Sequence, residues 1–178
     1  MLMVGCHSAT GKVVSPELAG NDPNAQLEFW HSLTDDKVTS NDQAFHGLLL
    51  FFDGKDDAKD YAGRVAMLKE RKMLPKGFDE PADRAVSRGN VAVAIVKFLK
   101  IRGGLTMMIT DPVFGIIPRY AVRELMFMNL YPPGSAQQTF TGAEFVGIIG
   151  RVEDYQRAQP GTIPGQVVPE APKTAVSR

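Results

Sequence analysis

Apolar residues recur at helical spacing in six stretches of this chain, and the stretches fall into three pairs. The second member of each pair opens on a helix start signal. Ser40-Asn41-Asp42-Gln43 precedes the run Ala44 to Phe52, Ser87-Arg88-Gly89-Asn90 precedes Val91 to Ile101, and Thr141-Gly142-Ala143-Glu144 precedes Phe145 to Tyr155. In each, a hydroxyl is placed to accept the backbone N–H three residues on, while Gln43 or Glu144 returns the bond to the cap; Asn90 is one carbon shorter and does so less well. Behind these signals, Val91, Ile95, Phe98 and Leu99, or Phe145, Ile148, Ile149 and Val152, line one face of a helix.

The first member of each pair is Leu27 to Leu33, Tyr61 to Met73 and Tyr120 to Leu130. The last two align through Tyr61/Tyr120, Leu68/Leu125, Leu74/Leu130 and Pro75/Pro132. A unit recurring about every 50 residues is the signature of a repeat architecture. The expected fold is therefore mainly α, with three helix-loop-helix pseudo-repeats packed as one bundle over residues 24–156. Their loops differ in length: a few residues in the first, Pro75 to Val86 in the second and Tyr131 to Phe140 in the third. Gly103-Gly104 caps the second repeat, and Leu105 to Ile109 beyond it reads equally as a short strand or a buried connector.

The ends are different. Residues 1–23 and 157–178 are rich in small, polar, Gly and Pro residues without periodicity, and both are expected to be disordered tethers. In the first, Leu2-Met3-Val4-Gly5-Cys6 resembles the lipobox of bacterial lipoproteins, which implies lipidation at Cys6 and a membrane anchor. Only five residues precede that cysteine, so the apolar h-region of roughly 7–15 residues that a signal peptide needs is expected ahead of Met1.

Charge and cysteine content narrow the chemistry. Twenty basic and twenty acidic side chains in 178 residues give a formal net charge of zero, which argues against nucleic acid as a partner. A single cysteine excludes an intrachain disulfide framework and any multi-cysteine metal site. No stretch of about 18 apolar residues offers a transmembrane helix.

Three helix-loop-helix units, each with a [ST]-x-x-[E/Q/N] start to its second helix, resemble the S-layer homology domain over about Asn24 to Tyr155. That resemblance implies a three-repeat bundle that anchors an envelope protein to cell-wall polysaccharide or peptidoglycan through a Thr-Arg-Ala-Glu type motif. Carried over position by position, it implies polysaccharide binding by Ser87, Arg88, Asn90, Thr141 and Glu144. Asn90 stands in place of the acid, and Gly142 in place of the arginine, so an interaction subunit that contacts another envelope protein is the alternative. The expected location is the bacterial envelope, with the domain facing the periplasm or cell surface.

Arg88 is the residue singled out for ligand binding, because a cation at a helix N-terminus opposes the helix dipole and calls for an anion nearby. It is expected at the surface, where removal leaves folding nearly intact. His7, His31 and His46 lack metal-ligand spacing, and Asp53, Asp56 and Asp57 beside Gly54 resemble a calcium loop that fails where Arg64 replaces the last acid. Trp30 and Phe29 read as core, with sugar stacking by Trp30 as the rival. No nucleophile elbow, phosphate loop or paired carboxylates appear, so neither enzyme activity nor a cofactor is expected.

Overall fold

The computed structural model describes residues 9–75, 77–101 and 116–159, and its architecture is mainly helical. Six helices are seen among these residues: α1 Pro23–Thr34, α2 Asn41–Asp53, α3 Tyr61–Glu70, α4 Arg88–Phe98, α5 Pro118–Phe127 and α6 Gly142–Ala158. Cys6 and His7, Gly103 to Ile109 and the tail from Pro160 lie outside the described residues. No described helix is long and apolar enough to cross a membrane.

Ser40, Ser87 and Thr141 are the N-caps of α2, α4 and α6. Reciprocal capping boxes form at Ser40 with Gln43 and at Thr141 with Glu144, whereas Ser87 accepts from the Asn90 N–H and receives nothing back. The shorter amide has the expected consequence. The ends of α3, α4 and α5 share another device: Lys72, Lys100 and Asn129 sit in the left-handed region, and the next N–H reaches five residues back, from Met73 to Leu68, Ile101 to Val96 and Leu130 to Leu125. These matched ends correct two steps of the repeat alignment. Leu68/Leu125 and Pro75/Pro132 are equivalent, but Leu130 matches Met73 rather than Leu74, and Tyr61 opens α3 where Pro118 opens α5.

The helices pair across repeats instead of within them. The most extensive packing joins α2 to α3, α4 to α5 and α6 back to α1. The first helix of each repeat thus lies on the second helix of the repeat before it, and the last repeat closes onto the first. Fully buried Phe29, Leu33, Phe45, Leu48, Leu68, Ile95, Leu125, Phe145 and Ile148 come from all six helices, and they form one continuous core. A side chain of this size contributes about 1.5–3 kcal/mol when removed from water, so this core is the main reason the short helices persist.

Backbone hydrogen bonds close the same circle at the cap end. The N–H just after each cap crosses to the segment before the next cap: Asn41 to the Arg84 carbonyl at 2.8 Å, Arg88 to Gln138 at 2.7 Å and Gly142 to Asp36 at 2.8 Å. Short antiparallel bridges, Ser40 with Ala85 and Ser87 with Thr139, accompany two of these crossings. Helix N-termini carry unpaired donors, and here each repeat supplies the acceptors for its neighbour.

Residues 9–22, expected as part of the first tether, are fastened to the domain instead. Thr10 bridges Arg84, Gly11 N–H donates to Asp83 and Val14 N–H donates to the Asp42 carboxylate at 2.9 Å. Lys12 pairs with Asp36 at 2.5 Å. A stretch of polar and small residues has no helical period to announce this, yet its backbone groups satisfy acceptors on the first and second repeats.

Candidate functional site

The five residues to which polysaccharide binding was assigned lie at two adjoining junctions of the cap circle, and most of their polar atoms already have partners. Ser87 is half-buried and caps α4. Asn90 is half-buried one turn along, its N–H on the Ser87 hydroxyl at 3.2 Å. Thr141 and Glu144 are exposed but bonded to each other: Thr141 N–H meets Glu144 Oε2 at 2.9 Å and Glu144 N–H meets Thr141 Oγ1 at 3.2 Å. Both side chains are committed to holding the first turn of α6.

Arg88 is not the surface arginine expected from the sequence: only 4% of it is exposed. Its guanidinium carbon lies 5.5 Å from the Tyr131 ring centre and 5.4 Å from that of Phe140, and Nη2 donates to the Pro132 carbonyl. Tyr131 returns a long hydrogen bond from its hydroxyl to the Arg88 carbonyl at 3.4 Å. The loop of the third repeat therefore folds over Arg88 and encloses it between aromatic faces, the arrangement in which a cation is drawn to a ring quadrupole. Nε is buried without a hydrogen-bond partner, and no carboxylate pairs with the guanidinium among the described residues. Burial pushes the Tyr131 hydroxyl well above its ordinary value, against a smaller opposing pull from Arg88.

Gly142, read from the sequence as a lost arginine, has a packing reason. A Cβ there would fall within the Leu33 carbonyl at the end of α1. The third junction brings α1 and α6 too close for any side chain at this place. Gly89 shows a milder form, since a Cβ would lie 2.7 Å from Pro118 and 3.1 Å from the Ala136 carbonyl.

A polar cluster that sequence reasoning missed joins the first repeat to the second. Arg64 reaches from α3 and donates from Nη1 to Asp42 Oδ1 and from Nε to Asp56 Oδ2, each at 2.5 Å. His46 Nδ1 lies 2.6 Å from the same Asp56 oxygen, and its Nε2 lies 3.2 Å from the Leu18 carbonyl. All four side chains are buried. For Asp56, desolvation raises the carboxyl, but hydrogen bonds from His46, Arg64 and the Ala58 N–H together with the Arg64 charge outweigh it, and the net shift is downward. Arg64 is likewise pushed down by burial and more strongly up by its two aspartates. A signal did exist in the sequence: Asp42, His46 and Asp56 are polar residues on or beside an otherwise apolar helix, and Arg64 is the base that answers them.

This cluster accounts for the faint calcium pattern. Asp53 pairs with Arg71 at 2.7 Å, Asp57 with Lys55 at 2.7 Å, and Asp56 points inward, so the three acids diverge. Gly54 supplies the left-handed cap of α2, with φ 74°. No group of three or more His, Cys, Asp or Glu side chains could hold a metal among the described residues. His46 also resembles half of a catalytic dyad with Asp56, but its far nitrogen faces a backbone carbonyl and the ring is sealed from solvent, so no substrate can reach it.

At the opposite end of the bundle, where α2 and α4 stop and α6 continues, a half-open groove of about 750 Å³ is lined by Trp30, Phe51, Phe52, Phe98 and Ile149, with Glu153 and Arg157 at its lip. Trp30 is half-buried and stacks on Phe145 with ring centres 6.5 Å apart, so it is part core and part groove wall. Phe52 and Phe98 stack at 4.1 Å. Searches against known protein families, curated proteins and solved structures find no match to this chain, so the residues above are what its function must be argued from.

Proposed function

We propose that the chain is a non-enzymatic interaction module of the bacterial envelope, anchored through Cys6, whose three-repeat body contacts another envelope protein. The observation that carries this reading is the enclosure of Arg88. Had the repeats kept a polysaccharide site of S-layer homology type, the guanidinium would need to face solvent beside the Ser87 cap; instead Tyr131, Phe140 and the Pro132 carbonyl take it up. Thr141 and Glu144 are spent on each other, and the third junction has no room for an arginine. Among the described residues Phe127, 85% exposed, and Leu27, 70% exposed, are the most exposed large apolar side chains, and so are the positions from which to probe for a partner.

The decisive experiment is a binding assay on purified sacculi and envelope polysaccharide, run beside photo-crosslinking in cells from positions 27 and 127. No saturable glycan binding, with a discrete protein adduct from one of the two positions, is the expected outcome. Saturable polysaccharide binding that Ser87→Ala weakens would overturn the reading. One observation favours polysaccharide as the second reading: Arg88 Nε is an unused donor on a cation without a carboxylate, and an acidic sugar would complete it if the third loop lifted.

A further inference from the structure

The groove at the foot of the bundle is an apolar concavity that the helices leave open, and the chain itself continues past it. Its wall is aromatic: Trp30 from α1, Phe51 and Phe52 from α2 and Phe98 from α4, with Ile149 and Val146 of α6 opposite. Its lip is the last turn of α6, where Gln156 and Arg157 line the opening and Gln159 leaves the helix with extended backbone angles, φ −80° and ψ 124°. Nineteen residues follow, 160–178. We propose that this groove is the docking site for the chain's own residues 160–178.

Composition points to this occupant. The segment Pro160-Gly161-Thr162-Ile163-Pro164-Gly165-Gln166-Val167-Val168-Pro169 carries three prolines and three aliphatic side chains, and Pro172 follows. Proline-rich segments dock in aromatic-lined grooves because proline restricts the free chain and so reduces the entropy lost on binding. Reach is ample. Val146 to Arg157 spans about 16 Å of helix at 1.5 Å per residue. Nineteen residues extend to about 60 Å, enough to turn at Gly161 or Gly165 and run back along the groove. Tethering at the lip supplies an effective concentration in the millimolar range, so a weak contact suffices to keep the groove filled.

Trp30 is the only tryptophan in the chain and Cys6 the only cysteine, which makes the test direct. In the full chain, Ile163→Ser, Val167→Ser and Val168→Ser together should shift Trp30 emission to longer wavelength and raise its acrylamide quenching about two-fold, with helical circular dichroism unchanged. A nitroxide placed by Gln166→Cys in a Cys6→Ser background should quench Trp30 at least two-fold, independently of protein concentration. Unchanged emission and quenching in the serine variant would overturn the proposal. So would nitroxide quenching that is absent, or that grows with protein concentration and accompanies a dimer mass, since the tail would then serve a second copy.

Discussion

Arg64 and Arg88 are buried to the same degree, each 4% exposed, and are held in opposite ways. Arg64 lies between Asp42 and Asp56, with His46 completing the cluster and the Leu18 carbonyl closing it. Arg88 has two aromatic faces, one carbonyl and an unused Nε. The first is a matched set of charges whose members are costly to remove singly. The second is a long side chain used largely for its bulk, with its charge spread over ring faces. The difference separates what fixes the fold from what has been absorbed into it: Arg64 ties α3 to α2 and to the loop before α3, while Arg88 mainly fills the space beneath the third loop.

Removing the paired arginine is therefore expected to hurt most. Arg64→Met leaves two aspartates buried without their cation and should cost about 3–5 kcal/mol in urea unfolding. A loss under about 1 kcal/mol would mean that the cluster is open to water. Restoring the arginine that the repeat motif would place in α6, Gly142→Arg, should cost about 3 kcal/mol because its Cβ meets the Leu33 carbonyl. A fully stable Gly142→Arg would show that α1 and α6 separate easily.

At Arg88 the size of the replacement should decide the outcome. Arg88→Ala empties the space between Tyr131 and Phe140 and is expected to cost about 2 kcal/mol, whereas Arg88→Met keeps most of the bulk and should cost less than about 1 kcal/mol. Equal losses in the two variants would point to the charge, and so to an anion close to it. Acid unfolding sharpens the contrast further. The Asp56 carboxyl is lowered in the folded protein, so the unfolded chain takes up the proton first. Its contribution is complete above the ordinary carboxylate value of about 3.9 and is lost as pH falls through the lower, folded value. The parent and Arg88→Met should share this acid slope, and Arg64→Met should flatten it.

How much of this was legible in the chain depends on how local the physics is. Helix starts are local: a hydroxyl, three residues, then an amide or acid, and the weakness of Asn90 as a return partner was visible in its length. Arg64 was read as the residue that spoils a calcium loop, because spacing along the chain shows an absent acid and cannot show two aspartates waiting on α2 and beside it. Gly142 was read as an eroded motif because the carbonyl that excludes its side chain belongs to Leu33, more than a hundred positions away. The enclosure of Arg88 depends in the same way on Tyr131 and Phe140, and the fastening of residues 9–22 on acceptors in two different repeats. Pairing of helices across repeats follows from closure of the circle, which no single repeat encodes.

That closure is the central claim, and amide hydrogen exchange under native conditions tests it most directly. The N–H groups of Asn41, Arg88 and Gly142 each cross from one repeat to the next. In a closed circle all three should exchange only through global unfolding, with equal protection that falls together as urea is added. Rapid exchange at Gly142 while Asn41 and Arg88 stay protected would contradict it, because the third repeat would then be free of the first.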